Sequence, residues 1–91
     1  MKTSASEQVK GWLASLPPQT KHRVRLALRA LEHGQGDVKA LVGELEGFNR
    51  LRVGGLRVIY RQLGSQQIRL EYANTRDVVY ELFQQLLDDG Y

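Results

Sequence analysis

Residues 48–61 read FNRLRVGGLRVIYR, and this stretch decides the fold. Apolar and polar residues alternate on both sides of Gly54-Gly55, which is the period of a β-strand. A two-residue Gly-Gly loop fits a type I′ turn, because that turn needs positive φ at both positions. The stretch therefore predicts a β-hairpin in which Val53 faces Leu56.

The predicted hairpin has one cationic face. In this register Arg52 lies directly opposite Arg57, and Arg50 lies opposite Ile59. Like charges directly across a ladder destabilise it, so removal of Arg57 is expected to leave the fold intact or to stabilise it. We interpret this pair as the clearest physical sign of function. The cationic face comprises Phe48, Arg50, Arg52, Arg57, Ile59 and Arg61.

Helical spacing of apolar residues predicts helices on both sides of the hairpin. The first helix starts at a capping box, Ser4-Ala5-Ser6-Glu7, and Pro17-Pro18 separates it from a second helix that ends at Gly34. Residues 37–47 form a connector with room for one helical turn. Residues 67–73 are a third strand, and residues 78–87 are a last helix.

The third strand has to bury its apolar residues, and this places Arg69 on the cationic face. For Arg69 to share a face with Arg61, the connection between the two strands must have an odd length, of three or five residues around positions 63–67. The helical hairpin then covers the core, and the last helix covers Phe48 and Ile59. The predicted core is Leu51, Val53, Val58, Tyr60, Ile68, Leu70 and Tyr72.

The composition indicates one small domain spanning residues 1–91. No apolar run reaches the roughly 18 residues of a membrane span, no signal peptide is evident, and the absence of cysteine fits a reducing cytoplasm. His22 and His33 show no metal-ligand spacing, so neither a metal nor a cofactor is expected. Six arginines and one acid lie between residues 48 and 76, which points to a polyanionic partner.

The run LVGELEGFNRLRVGGLRVIYR (41–61), with a following strand and a last helix opening in R-x-x-x-Y, resembles the RelE/ParE superfamily of bacterial toxins. The resemblance covers residues 6–87. It implies an α+β fold: an N-terminal αα-hairpin packed on a small antiparallel sheet of three to four strands, with a C-terminal helix. It also implies a type II toxin–antitoxin system and hence a cognate antitoxin as partner.

The ending Arg76-Asp77-Val78-Val79-Tyr80 is similar to that of the RelE-like branch, whose members cleave mRNA on the ribosome. By this resemblance Arg57 contacts the scissile phosphate, and Arg76 and Tyr80 match the arginine and tyrosine of the last helix. Arg50 and Arg52 fall near the basic positions of the first strand. The residues expected to bind RNA phosphate are Arg50, Arg52, Arg61 and Arg69.

The expected chemistry is metal-independent attack of the RNA 2′-hydroxyl on the adjacent phosphorus. Arg57, Arg61 and Arg52 would stabilise the added negative charge, and Tyr80 would transfer a proton, with Arg76 favouring its ionised form. By spacing alone, Tyr80 could equally be an edge residue of the apolar stripe. The sequence departs from the RelE-like nucleases in the first strand, where a position often held by lysine is arginine. It also departs at Asn74, where the best-known member has arginine, and in having no histidine near the site.

Two other functions stay open at this stage. One is a ParE-like inhibitor of DNA gyrase without catalytic activity. The other is a catalytically degenerate module that binds an antitoxin or an operator.

Overall fold

The computed structural model describes residues 1–90. Three helices and a five-stranded sheet make up the fold, with strand order β1-β5-β4-β3-β2. β1 runs parallel to β5, and the other neighbours are antiparallel. A 3₁₀ turn at Gly43–Leu45 precedes β3. The elements are β1 (Lys2–Ala5), α1 (Glu7–Ser15), α2 (Pro18–Glu32), β2 (Val38–Ala40), β3 (Asn49–Val53), β4 (Leu56–Leu63), β5 (Gln67–Thr75) and α3 (Val79–Asp88).

The β3–β4 hairpin forms in the predicted register. Val53 pairs with Leu56, and Arg52 lies opposite Arg57. Of the two turn glycines, only Gly54 has a positive φ, of 59°. A type I′ turn needs positive φ at both positions, so the expected type I′ turn is wrong, and positive φ at the first position alone fits type II′. The hairpin is kept because either primed turn matches the twist of the strands.

Both faces of the sheet are covered, one by the helical hairpin and one by α3. The α1–α2 hairpin packs on the face that carries Leu51, Val58 and Leu70. On the other face, Phe83 of α3 is fully buried against Ile59. The prediction that the last helix covers Phe48 and Ile59 is therefore confirmed.

A β-bulge in β5 corrects one part of the predicted core. Tyr60 pairs with Leu70 but Ile59 pairs with Tyr72, so Glu71 is the extra residue. The bulge reverses the alternation, and Tyr72 packs beneath α3 on the face opposite to the one predicted. Ala73 takes its place on the helical-hairpin face. The predicted odd-length connection is confirmed, since three residues (64–66) separate β4 from β5.

The N-terminal segment differs from the prediction. Ser4 lies in β1, opposite Arg69, and the N-cap of α1 is Ser6. The Ser6 hydroxyl accepts a hydrogen bond from the Val9 N–H at 3.3 Å and donates one to the Glu71 carbonyl at 2.7 Å. A four-residue strand carries too little periodicity to be recognised, and only its partner strand defines it. The same holds for β2, which was predicted as part of a connector.

The Gln8 side chain closes the edge of β5 where β1 ends. β1 pairs with β5 only as far as Leu70. Beyond this point the Gln8 amide nitrogen donates to the Ala73 carbonyl at 2.6 Å, and its oxygen accepts from the Ala73 N–H at 2.8 Å. One side chain thus replaces a strand partner.

Within residues 1–90, no helix is long and apolar enough to cross a membrane.

We expect Gln8→Ala to lower the free energy of unfolding by about 1–2 kcal/mol, because both backbone groups of Ala73 lose a partner in a partly buried setting. Urea denaturation measures this change. Gln19→Ala, at an exposed position of α2, is the matched control and should leave stability within about 0.5 kcal/mol. Equal stability of the two variants would show that water replaces the Gln8 amide at no cost.

Candidate nucleic-acid interface

Helix α3 divides the predicted arginine face into two groups. It lies over the middle of the face, where Ile59 and Tyr72 pair across β4 and β5. Arg57 and Arg61 are four residues apart on β4, which corresponds to about 13 Å along the strand. The turn-side group is Arg50, Arg52 and Arg57, and the bulge-side group is Arg61 and Arg69.

Asp37 orders two members of the turn-side group. Its carboxylate lies 3.3 Å from Arg50 Nη1 and 3.9 Å from Arg52 Nη1. The Arg50 side chain is 18% exposed, and the Arg52 side chain is 53% exposed. The Arg52–Asp37 pair is open to solvent and so contributes about 0–1 kcal/mol. An anionic ligand can therefore compete with Asp37 for Arg52 at little cost.

Arg57 is buried, in contrast to its cross-strand neighbour Arg52. Its Nη1 donates to the carbonyl oxygens of Gly54 at 2.8 Å and Leu56 at 2.9 Å. The side chain thus turns back on the hairpin loop and satisfies main-chain acceptors there. It lies opposite Arg52, as the predicted register requires, but part of its hydrogen-bonding capacity is used by the fold.

Tyr80 and Arg50 line one open groove of about 390 Å³. The groove lies between α3 and the 3₁₀ turn, with Leu41, Val42 and Leu45 as its apolar wall. Tyr80 is half-buried and also packs against the cluster beneath α3. The arrangement brings a phenol hydroxyl, a guanidinium group and an apolar surface into one groove.

Lys39 also lines this groove, and the sequence prediction missed it. It lies directly opposite Arg50 on β2 and is exposed. This makes a second pair of like charges across the ladder, after Arg52–Arg57. The alternation Val38-Lys39-Ala40 was the available signal, but three residues are too few to identify a strand.

Arg76 does not lie on the same helix as Tyr80, so that part of the prediction is wrong. α3 begins at Val79, and Arg76 lies in the preceding turn. The backbone N–H of Arg76 donates to the Gly55 carbonyl at 3.0 Å. This bond holds the chain beside the hairpin loop for one residue beyond the end of β5 at Thr75. Arg76 is exposed there, at the end of the sheet that holds the turn-side group.

The bulge-side group surrounds a buried carboxylate. Glu71 Oε2 accepts from Arg61 Nε at 2.8 Å, and its Oε1 lies 3.8 Å from Arg69 Nε. Arg61 and Arg69 lie directly opposite each other, so Glu71 offsets a third pair of like charges. The Arg61 guanidinium also lies 6.0 Å from the centre of the Phe48 ring. A cavity of about 550 Å³ opens beside these residues.

Among residues 1–90, no cluster of histidine, aspartate and glutamate could hold a metal ion. Tyr60 faces the helical hairpin, where burial raises the pKa of its hydroxyl group. The tyrosine that lines the same groove as Arg50 is Tyr80. The residues that the sequence singled out are therefore divided between the groove, the hairpin loop and the bulge.

The structure changes the expectation for Arg57→Ala. Loss of two hydrogen bonds from a buried charged donor should destabilise the protein by about 1–3 kcal/mol, which outweighs relief of the Arg52–Arg57 repulsion. Arg52→Ala, which relieves the same repulsion from an exposed position, should be neutral or stabilising. Thermal unfolding of the two variants makes the comparison. An Arg57→Ala protein as stable as Arg52→Ala would show that the loop does not depend on this side chain.

A scan of protein-family models and a search of curated protein sequences find no match. Solved structures do match. A chain of the RelB–RelE antitoxin–toxin complex from Methanococcus jannaschii is 19% identical, with 91% of this chain and 99% of that chain covered and a TM-score of 0.64. YafQ from Escherichia coli is 15% identical, with coverages of 85% and 94% and a TM-score of 0.64. A chain of the RelBE2 toxin–antitoxin complex from Mycobacterium tuberculosis is 22% identical, with coverages of 82% and 96% and a TM-score of 0.61. The chain therefore has the fold of the RelE/ParE toxin superfamily.

Proposed function

We propose that this chain is the toxin of a type II toxin–antitoxin system and that it cleaves mRNA, as a metal-independent and ribosome-dependent endoribonuclease of the cytoplasm. The observation that carries this proposal is the groove in which Tyr80, Arg50 and Lys39 meet. Binding of a polyanion such as RNA requires cationic side chains. Cleavage of its phosphodiester bond without a metal ion also requires a side chain that transfers protons. Tyr80 is the candidate for that group, and the cations stand beside it.

In the proposed reaction, the 2′-oxygen of one ribose bonds to the adjacent phosphorus and the bond from phosphorus to the 5′-oxygen breaks. The products are a 2′,3′-cyclic phosphate and a free 5′-hydroxyl. Tyr80 transfers a proton to or from the reacting oxygens, and Arg50 and Arg52 stabilise the negative charge that builds on the phosphate. Arginine suits this task because it stays charged and offers two parallel donors to phosphate oxygens.

Arg57 and Arg76 complete the proposed catalytic set at the end of the sheet. The resemblance implies that Arg57 contacts the scissile phosphate. To do so with Nη1, its guanidinium must leave the carbonyl oxygens of Gly54 and Leu56. Arg76 is exposed beside the hairpin loop and can bind a phosphate without rearrangement. We assign Arg61 and Arg69 to flanking RNA phosphates, since α3 separates them from the groove.

The proposed partner is a cognate antitoxin, and two of the similar structures are toxin–antitoxin complexes. An antitoxin would bring carboxylates to the turn-side arginines or replace α3 with an apolar helix of its own. Expression of this chain alone should arrest growth, and co-expression with the antitoxin should restore it. Normal growth of cells that contain folded, soluble protein would count against any toxin.

Translation in vitro with mapping of mRNA 3′ ends tests the chemistry. Cleaved mRNA that appears only with ribosomes present supports the proposal. The alternative of a ParE-like gyrase inhibitor predicts intact mRNA and loss of supercoiling activity by purified gyrase. Intact mRNA with unaffected gyrase would leave a degenerate antitoxin-binding module.

Tyr80→Phe tests the assigned proton transfer, because it keeps the ring and its packing and removes only the hydroxyl group. We expect cleavage to fall by roughly 10²-fold or more while ribosome binding stays near wild type. Tyr72→Phe is the matched control, since Tyr72 packs beneath α3 outside the groove. A fully active Tyr80→Phe protein would refute the assignment and leave the ring as a packing or stacking surface.

A further inference from the structure

The helical layer carries a concentration of positive charge that the proposed reaction does not use. Between Gln8 and Leu31 the chain has five cations and no acid. Four of the five lie on α2, on the side of the sheet opposite to α3. These five cations are Lys10, Lys21, Arg23, Arg25 and Arg29.

Helical spacing aligns part of this charge on the outer side of α2. His22, Arg25, Arg29 and His33 follow one another at intervals of three, four and four residues, which keeps them on one side of the helix. All four are exposed. With a rise of 1.5 Å per residue, the row is about 16 Å long. We call these four residues the α2 stripe.

The arginines of the α2 stripe differ from four of the five sheet arginines in having no counterion. Arg50 and Arg52 share Asp37, and Arg61 and Arg69 share Glu71. Across residues 1–90, no carboxylate lies within ion-pair distance of Arg25 or Arg29, and neither makes a side-chain hydrogen bond. Exposed like charges left unpaired along one helix raise the local potential and attract a polyanion.

We propose that the α2 stripe is a second polyanion site, which binds the phosphate backbone of double-helical RNA. α2 contains no phenylalanine, tyrosine or tryptophan, so it lacks the large stacking platform by which proteins hold single-stranded bases. A straight row of guanidinium and imidazole groups matches a regular line of phosphates, and duplex RNA is recognised mainly through shape and backbone. Because the stripe and the groove lie on opposite sides of the sheet, one molecule can hold both ligands at once.

The apolar side of α2 argues against a membrane surface as the ligand. Val24 and Leu31 are buried in the core, so they are not available to enter a bilayer. Leu26, at 49% exposure, is the large apolar residue that α2 leaves in solvent. An interfacial helix needs a broad apolar face as well as its charges.

The test compares two variants that remove the same net charge. Arg25→Ala/Arg29→Ala removes two cations from the stripe, and Lys2→Ala/Lys10→Ala removes two exposed cations elsewhere. Binding of each full-length protein to an RNA duplex of about 16 base pairs is measured across a salt series. For the stripe variant, the slope of log K against log salt should fall by about two. The lysine control should keep the wild-type slope, and a single strand of the same sequence should bind more weakly to the wild-type protein.

Three results would overturn the proposal. Equal losses in the two variants would show that net charge alone attracts RNA. A single strand that binds as tightly as the duplex would show that the stripe does not select a double helix. Binding to phosphatidylserine vesicles that the stripe variant alone loses would identify a membrane surface instead. Since binding is measured without cleavage, failure of the proposed nuclease activity leaves this test unaffected, and circular dichroism checks that both variants are folded.

Discussion

The bulge at Glu71 is the constraint on which the rest of this structure depends. One extra residue in β5 reverses the side-chain alternation and moves Tyr72 to the face beneath α3. The Glu71 carbonyl accepts the Ser6 hydroxyl, and Ser6 in turn caps α1. The Glu71 carboxylate holds Arg61 and Arg69. A single irregular position therefore joins the sheet, the first helix and one of the two arginine groups. Bulges commonly redirect side chains next to functional sites.

The sheet has to satisfy two demands that conflict. Its α3 face carries arginines, yet α3 needs an apolar surface to pack on. Ile59 and Tyr72 provide that surface in the middle of the face, and Phe83 packs on both of them. The arginines are left on either side of α3, where all of them except the buried Arg57 are at least partly exposed to solvent. Packing of one amphipathic helix thus divides a continuous charged face into two separate groups of arginines.

Like charges stand opposite each other at three places in the sheet: Lys39–Arg50, Arg52–Arg57 and Arg61–Arg69. Each such pair costs stability, and the fold reduces the cost locally. Asp37 forms ion pairs with Arg50 and Arg52. Glu71 forms ion pairs with Arg61 and Arg69. Main-chain carbonyl groups accept hydrogen bonds from Arg57. Most of these partners hold an arginine in place while leaving part of it exposed.

The sequence by itself determined the hairpin, its register, the Arg52–Arg57 opposition and the role of the last helix. It could do so because these features depend on local periodicity and on two adjacent glycines. The tertiary structure alone decided the remaining features. β1 and β2 are four and three residues long, too short to show a period, and they are strands only because β5 and β3 offer hydrogen-bonding edges. The bulge at Glu71 and the approach of Lys39 to Tyr80 arise from contacts between distant segments, which no local pattern encodes. The inward turn of Arg57 is local, toward the carbonyl oxygens of Gly54 and Leu56, but side-chain alternation alone does not reveal it.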